Sequence, residues 1–315
     1  MREKLLKSLK ENDFVSGEIL AQKLKVSRTA IWKQIKKLRE IGYKIESVKN
    51  KGYLLVSTPD KPIPEEITPF LKSDIVGREI HYFEKVNSTN NIARDFVKKE
   101  SLDGTIIISD IQTQGRGRKG RKWISQKGGL WFSMILYPNI QPEKGMLLTM
   151  AISISIVESL KIVAGLNSEI KWPNDVLSNK RKICGVLTEF DAEPDRINYA
   201  IVGVGINVNN EIDESLRNTA TSLKKETRKI VSKIELIRSI INNFDKYYKC
   251  VRDNKHDKIR DKWLSYSNII GKKVLVKQNK NTIKGIVKCV DKNGFLILDD
   301  NKKEIRILSG DIYYD

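Results

Sequence analysis

The nine residues from Gly115 to Trp123 read Gly-Arg-Gly-Arg-Lys-Gly-Arg-Lys-Trp and combine two features of an anion-binding loop. Glycine allows positive φ and a close approach of the backbone to a ligand, while Arg and Lys supply charge-assisted donors. Because like charges repel and glycines raise the entropy of ordering, we expect a loop that is mobile when empty and folds over an anion. Trp123 is expected to hold its far end to the core. The alternative is a solvated nucleic-acid or localisation patch.

Two apolar segments flank this loop. Gly104–Ser109 precedes it and Gly129–Leu136 follows it, and both are typical of buried strands. A basic loop held between two core strands has a fixed place in the fold, which favours the anion-binding interpretation.

A second set of charged residues surrounds a turn. Residues Glu169–Leu177 predict a strand interrupted at Pro-Asn-Asp, and Arg181–Phe190 predicts the next strand. Such a turn needs no function. With Lys171 and Lys182 on either side of the Asp175 carboxylate, it also offers the groups that a magnesium-nucleotide site uses.

Two further motifs follow predicted strands. Ser88 comes just after the strand His81–Val86, where it can cap a helix or, with its polar neighbours, bind a ligand head group. The Gly203-Val204-Gly205 pair suggests a dinucleotide fold. That interpretation fails because Val208 occupies the third glycine position and no helix is predicted after it.

Residues 1–57 predict a winged helix-turn-helix, with Ser16 and Ser27 capping its second and third helices and a hairpin wing over residues 43–56. They carry 14 basic and 6 acidic side chains, a net charge of +8, within a chain of net charge +19. The alternative is a helical protein-interaction module. The predicted DNA-binding residues are Arg28, Thr29, Lys33, Lys36, Lys37, Lys49 and Lys51.

The 315 residues predict an α+β protein of three domains: residues 1–60, a mixed α/β domain over 61–270, and a small β-barrel over 271–315. Four prolines between 59 and 69 predict a semi-rigid linker. Three scattered cysteines predict neither disulfides nor zinc and indicate a reducing compartment. Without a signal peptide or an apolar run of about 18 residues, we expect a cytoplasmic protein that binds no membrane.

In the order and spacing of these motifs the chain resembles, over essentially its whole length, the bifunctional biotin protein ligases that also repress the biotin operon. The matching segments are Ser88–Asn90, Gln112, Gly115–Arg121, Lys171–Asp175, Arg181–Gly185 and Gly203–Asn209. The resemblance implies a winged helix, a ligase domain of the biotin/lipoate type and an SH3-like barrel.

The resemblance also implies an activity: biotin and ATP form biotinyl-5′-AMP and pyrophosphate with Mg²⁺, and the biotinyl group passes to a lysine of a biotin carboxyl carrier protein. Biotinyl-5′-AMP would serve as corepressor, promoting a homodimer on operator DNA. The implied biotin-binding residues are Ser88, Thr89, Asn90, Gln112, Arg116, Gly117, Arg118 and Lys182. The implied nucleotide-binding residues are Arg118, Arg121, Trp123, Lys171, Asn174, Asp175 and Asn207.

Lys182, Arg116, Arg118 and Asp175 are the predicted catalytic residues, and no dedicated metal ligand is assigned. Cys184 departs from many relatives, where alanine is common, and is expected to add an oxidisable thiol near the site. Two alternatives stay open at this point: a lipoate or octanoate ligase, and a non-enzymatic transcription factor that senses a metabolite. The first lacks this Gly-Arg loop and a leading winged helix.

Overall fold

A computed structural model describes residues 1–11, 13–278, 281–300 and 303–314. Its contacts divide the chain into two compact units, Met1–Phe70 and Leu71–Asp315. The division falls ten residues beyond the predicted end of the first domain, and the three-domain boundaries stay a prediction.

The first unit is a winged helix-turn-helix followed by a helical turn. Ser16 Oγ accepts a hydrogen bond from the Ile19 amide and Ser27 Oγ from the Ala30 amide, so both predicted caps are confirmed. The helices and strands are α1 (Arg2–Lys10), α2 (Gly17–Leu24), α3 (Arg28–Ile41), β1 (Lys44–Val48), β2 (Gly52–Ser57) and α4 (Pro64–Ile67).

The proline-rich segment, predicted as a linker, is folded into this unit. Pro64 occupies the first turn of α4, where its missing N–H costs nothing. The buried Glu66 carboxylate accepts from Tyr43 Oη at 2.6 Å and from Lys10 Nζ at 2.6 Å. The segment therefore belongs to the winged helix, because its acidic side chain supplies the partner of a buried tyrosine and of α1.

The second unit is organised around a seven-stranded sheet in the order β3-β4-β5-β9-β8-β7-β6. The β3–β4 pair is parallel and the other neighbours are antiparallel. Its strands are β3 (Ile80–Val86), β4 (Thr105–Gln112), β5 (Leu130–Leu136), β6 (Glu169–Lys171), β7 (Asp175–Ser178), β8 (Arg181–Ala192) and β9 (Ile197–Ile206).

Helices cover the two faces of the sheet. On one face α5 packs through Ala93 against Ile107, Ile135 and Ile201. On the other, Thr149 of α6 is hydrogen-bonded to Thr188 of β8, whose side chain points away from α5. The helices are α5 (Thr89–Val97), α6 (Met146–Ala164), α7 (Leu223–Thr227), α8 (Lys233–Arg252) and α9 (His256–Leu264).

Helix α6 is buried over most of its length and strongly apolar. With the preceding turn it runs from Pro142 to Ala164, and by length and composition alone it could span a membrane, so the expectation of no such run is wrong. Its most apolar window is 72% buried inside the protein, where it packs against α8 and α9. Burial of this kind is typical of a core helix.

The C-terminal strands form one antiparallel sheet of the small barrel type, in the order β13-β12-β11-β10-β14. The sequence predicts the first four of them, over Lys273–Lys277, Thr282–Val290, Gly294–Leu298 and Glu304–Leu308. The fifth was missed because it spans four residues at the end of the chain, too few to show a pattern. The strands are β10 (Lys273–Gln278), β11 (Asn281–Val290), β12 (Leu296–Asp299), β13 (Glu304–Ile307) and β14 (Asp311–Tyr314).

Candidate active site and nucleic-acid interface

A cavity of about 360 Å³ opens on the α5 face of the large sheet, and all fourteen residues predicted to bind biotin or nucleotide line it. They come from segments far apart in sequence, so the fold brings together what the motifs suggested. These residues are Ser88, Thr89, Asn90, Gln112, Arg116, Gly117, Arg118, Arg121, Trp123, Lys171, Asn174, Asp175, Lys182 and Asn207.

One wall of the cavity is a fixed polar network at the start of α5. Gln112 Oε1 accepts from the Thr89 amide at 2.8 Å, and Gln112 Nε2 donates to Ser125 Oγ at 2.8 Å. Ser133 Oγ lies 2.7 Å from Thr89 Oγ1 and 2.6 Å from Asn90 Oδ1. Because these groups are buried, or half-buried in the case of Gln112, and already oriented by one another, they can bind a polar ring with little reorganisation.

Ser88 occupies the N-cap of α5, but its side chain makes no capping hydrogen bond, so the predicted cap is wrong in that respect. The residue is buried at the cavity wall. The second role considered for this motif, binding a ligand, stays a prediction.

The Gly-Val-Gly pair of β9 forms a flat floor under two of these side chains. A Cβ on Gly203 would lie 2.1 Å from Asn90 Oδ1, and one on Gly205 would lie 2.3 Å from Trp123 Nε1. Side chains at either position would displace the Asn90 amide or the indole ring. The glycines therefore serve close packing, which confirms that this pair is no dinucleotide fingerprint.

The basic loop is ordered as a narrow irregular ribbon. Residues 116 and 122 form an antiparallel bridge, and the Trp123 amide donates to Gly115 O at 2.9 Å. The indole of Trp123 packs edge-on against Trp131, with ring centroids 6.4 Å apart, so the loop is held to the core as expected. Trp123 Nε1 is buried without a hydrogen bond to any residue that the structure describes.

Three cations of the loop contact the β13–β14 turn and β14 of the C-terminal sheet. Arg121 forms a bidentate ion pair with Asp311, and Lys119 Nζ lies 3.3 Å from the same carboxylate. Arg118 Nη1 donates to Gly310 O and to Asn174 Oδ1, each at 3.2 Å. Sequence reasoning missed Asp311, which is separated from Arg121 by 190 residues and belongs to no motif.

Two pKa shifts follow from these contacts. Burial would raise the pKa of Asp311, but hydrogen bonds and charge from Arg121 and Lys119 lower it below its ordinary value of 3.8. Burial lowers the pKa of Arg118 below its ordinary value, against the opposing charges of Asp311 and Asp175. The loop thus meets a carboxylate that is ionised at neutral pH.

Lys182 and Asp175 form the charged centre of the cavity. Lys182 Nζ lies 2.6 Å from Asp175 Oδ1 and 5.1 Å from the centroid of the Trp123 ring. The Asp175 oxygen makes no well-aligned hydrogen bond to a described residue, so its contact with Lys182 is an ion pair. This arrangement places an ammonium and a carboxylate side by side in the cavity.

Two other predicted residues are placed less centrally. Arg116 is exposed and donates to Asn91 Oδ1 at 2.6 Å, while Lys171 Nζ lies 5.6 Å from the centroid of the Tyr314 ring. Neither Asn91 nor Tyr314 was singled out from the sequence. The Arg116 and Lys171 side chains both line the cavity.

The Cys184 thiol differs from what its position in the sequence suggested. It is fully buried, and burial raises the pKa of the thiol well above its ordinary value, with Lys182 lowering it less. A thiol without access to solvent and without thiolate character is inert. The expectation of an oxidisable group beside the site is wrong for this reason.

The predicted DNA-binding residues lie on one exposed face of α3 and on the turn of the wing. Ile31, Ile35 and Leu38 face the core of the unit, which leaves the basic side chains of α3 in solvent. The exposed residues are Arg28, Thr29, Lys33, Lys36, Lys37, Lys49 and Lys51. Such a helix is shaped and charged for a major groove.

Family models match three parts of the chain: an HTH domain over residues 2–54, the biotin/lipoate A/B protein ligase family over 82–207, and the biotin protein ligase C terminal domain over 269–314. The fold and the site thus define a protein ligase of the biotin/lipoate class behind a DNA-binding domain.

Relatives narrow this class. The chain is 37% identical to the bifunctional ligase/repressor BirA of Bacillus subtilis (strain 168), covering 99% of both chains, and 29% identical to that of Escherichia coli (strain K12), covering 95% and 92%. A biotin protein ligase from Aquifex aeolicus in complex with biotin and ATP superposes with TM-score 0.66 at 28% identity, over 76% of this chain and 99% of that one. The chain belongs to the family of bifunctional biotin protein ligase/repressors.

Proposed function

We propose that this protein condenses biotin with ATP to biotinyl-5′-AMP and then biotinylates one lysine of the biotin carboxyl carrier protein of acetyl-CoA carboxylase or of another biotin-dependent carboxylase. The carrying observation is the convergence of the Lys182–Asp175 pair, the polar wall at Thr89 and Gln112, and the basic loop on one cavity. The Aquifex relative, bound to biotin and ATP, supports these substrates.

In the first step an oxygen of the biotin carboxylate attacks the α-phosphorus of ATP, a P–O bond forms, and pyrophosphate leaves with the electron pair of the broken bond. Negative charge grows on the equatorial oxygens and on the leaving group. Lys182, at the centre of the cavity, is placed to stabilise the equatorial oxygens. Arg118 and Arg121 of the basic loop are placed to stabilise the leaving pyrophosphate. Fixed cations in a partly water-excluded site typically contribute several kcal/mol to such a step.

Magnesium fits this site as a companion of the triphosphate. It is usually held in proteins by one or two carboxylates together with substrate phosphates. The Asp175 carboxylate and the amide oxygens of Asn174 and Asn207 line the cavity and are oxygen donors of the kind it prefers. When bound, the ion would neutralise phosphate charge and orient the leaving group.

In the second step the amine of the carrier lysine attacks the carbonyl carbon of the adenylate. A C–N bond forms, the bond between the carbonyl carbon and the phosphate oxygen breaks, and AMP leaves with its electron pair. The attacking amine must also lose a proton. Asp175 is proposed to accept that proton, since its carboxylate lies in the cavity beside Lys182. While the ammonium of Lys182 stays close, it also stabilises the departing AMP.

We further propose that the first unit binds operator DNA as a homodimer with biotinyl-5′-AMP as corepressor, and that the protein acts in the cytoplasm. The exposed basic face of α3 and the basic wing support DNA binding. One winged helix covers a single half-site, too little for tight sequence-specific binding, so repression calls for two copies.

Pyrophosphate release measured with ATP, Mg²⁺ and either biotin or lipoate tests the activity. We expect release with biotin and transfer to an added carrier domain, but little release with lipoate. A preference for lipoate would assign the chain to the other branch of its catalytic family, and no release with either would leave a metabolite-sensing transcription factor.

A further inference from the structure

Glu226 lies outside the cavity wall formed by the described residues, yet four side chains donate to it. It belongs to α7, and its side chain is only 4% exposed. Its Oε1 accepts from Thr221 Oγ1 at 2.5 Å and from Arg181 Nη2 at 2.6 Å. Its Oε2 accepts from Asn179 Nδ2 at 2.6 Å and from Ser178 Oγ at 3.4 Å.

The four donors lie on both sides of Lys182. Ser178, Asn179 and Arg181 belong to the β7–β8 hairpin that leads into Lys182, and Thr221 belongs to the segment beside it. That segment pairs with the Lys182 backbone: the Lys182 amide donates to Thr219 O at 2.8 Å, and the Thr221 amide donates to Lys182 O at 2.9 Å. Glu226 thus joins the two pieces of chain that hold the peptide of Lys182.

The hairpin turn needs such support. Asn179 and Lys180 adopt left-handed conformations, with φ of 48° and 62°. Two residues of this kind form the tight turn that suits a hairpin, but lysine is unfavourable there. The bond from Asn179 to Glu226 stabilises the turn and with it the register of Arg181 and Lys182.

We propose that Glu226 is a positioning residue for adenylate formation, acting through Lys182; this rests on the proposed role of Lys182 in that step. A carboxylate suits the position because its two oxygens accept several donors at once and oppose the Arg181 charge. Glutamine would offer one acceptor oxygen and turn an N–H₂ group toward other donors.

The protonation state agrees with this role. Burial acts to raise the pKa of Glu226, but hydrogen bonds from Thr221 and Asn179 and the charge of Arg181 bring it below its ordinary value. The group is therefore ionised at neutral pH and accepts all four bonds.

Glu226→Gln tests the proposal. We expect pyrophosphate release at saturating biotin and ATP to fall roughly tenfold, since a misplaced reacting group costs one to two orders of magnitude in rate. Biotin binding without ATP, measured by calorimetry, should stay within about twofold, because the wall at Thr89 and Gln112 lies on other elements. Thr221→Val, which removes one bond at nearly constant volume, should show a smaller loss of the same kind.

Glu158→Gln is the matched control. Glu158 lies on α6 over the opposite face of the sheet and also accepts several donors: Tyr247 Oη at 3.0 Å, Tyr266 Oη at 3.3 Å and Lys262 Nζ at 3.1 Å. This variant should lose stability without losing rate. Equal rate losses in the Glu158 and Glu226 variants would overturn the proposal, because they would reflect stability alone.

A double-mutant cycle isolates the path through Lys182. With enzyme in excess over labelled ATP, so that slow rates are measurable, Glu226→Gln should change the rate of Lys182→Ala by less than about twofold. An undiminished tenfold loss in that background, or a parental rate in Glu226→Gln itself, would contradict the role. Failure of the proposed function would look different, since the parent would then release no pyrophosphate.

Discussion

Arg121 of the basic loop and Asp311 of the last strand form a bidentate ion pair across 190 residues of sequence, and the carboxylate is 17% exposed. Lys119 contacts the same carboxylate, and Arg118 donates to the neighbouring carbonyl of Gly310. The C-terminal sheet therefore orders the loop that lines the cavity. A single exposed pair would contribute little, but here one carboxylate fixes two cations of a glycine-rich loop.

Asp311→Asn should loosen this loop and shorten the residence of the adenylate. We expect labelled biotinyl-5′-AMP to leave the variant several-fold faster, because ordering the loop then costs more conformational entropy. The control is Glu304→Gln, which removes an exposed ion pair with Lys288 in the same sheet. Equal rates of adenylate release from Asp311→Asn and from the parent would show that the C-terminal sheet does not control closure of the basic loop over the adenylate.

The same pair predicts a pH dependence. The folded pKa of Asp311 lies below 3.8, so its contribution to stability is complete above the ordinary value and is lost as the pH falls through the folded pKa. Adenylate residence should thus be insensitive to this group at neutral pH and shorten only in acid. A change in residence that titrated near pH 7 and vanished in Asp311→Asn would contradict the assignment.

Lys182→Ala should remove adenylate synthesis and leave the fold intact. Loss of one preorganised charge from such a site typically costs about 100- to 1,000-fold in kcat. Lys182 is half-buried, with its ammonium in the cavity, so its removal opens no hole in the core. Pyrophosphate release and thermal unfolding should be measured together.

Lys161→Ala, in the exposed last turn of α6, is the control for loss of charge alone. We expect it to keep the parental rate. If the Lys182 variant also kept it, the charged centre of the site would have to lie elsewhere.

Local signals in the sequence were sufficient for most of the fold. Ser16 and Ser27 cap helices as their positions predicted, and the inward residues of α3 are buried, because caps and amphipathic stripes depend on near neighbours. The fourteen cavity residues were found through the resemblance, whose motifs the fold then brings together. Ser88 shows where local signals end, since it occupies the predicted N-cap position of α5 but makes no capping hydrogen bond.

What the sequence did not show depends on pairs distant along the chain. Asp311 and Glu226 resemble any surface carboxylate until the fold places cations beside them. Cys184 is predicted to add an oxidisable thiol near the site, and regular alternation would put it on the same face of β8 as Lys182. The register between β7 and β8 shifts between these two residues, however, and the Cys184 thiol is buried. The four prolines of residues 59–69 predict a linker, and nothing near Glu66 in the sequence indicates the buried Tyr43 that it contacts.

The folding of that segment decides where the DNA-binding unit can be removed. Deleting residues 1–70 should abolish operator binding and spare most pyrophosphate release, because the second unit carries the whole cavity. Deletion of 1–60 should also abolish DNA binding. This shorter deletion would expose the side chains of Ile63 and Ile67, which are 3% and 0% exposed in the full chain. We therefore expect the 1–60 deletion to give a less soluble protein.

Gel filtration and ligation assays on both truncations distinguish these outcomes. Equal solubility of the two would mean that the segment is stable without the winged helix. Retention of operator binding by either would place the DNA-binding surface in the second unit.

Biotinyl-5′-AMP should strengthen both self-association and operator binding. The basic loop has three glycines, so ordering it costs conformational entropy. Its ordered form depends on contacts with Asp311 and Gly310, and a bound adenylate would add further contacts. If dimerisation requires the ordered loop, the adenylate complex dimerises without a further entropic cost of ordering it. The coupling should amount to about 1 to 3 kcal/mol or somewhat more, seen as tighter dimer and operator constants in sedimentation and DNA titrations.

Asp311→Asn should weaken the dimer of the unliganded protein more than that of the adenylate complex, because the adenylate replaces the lost contact. Equal dimer and operator constants with and without the adenylate would show that the two activities share a chain without being coupled.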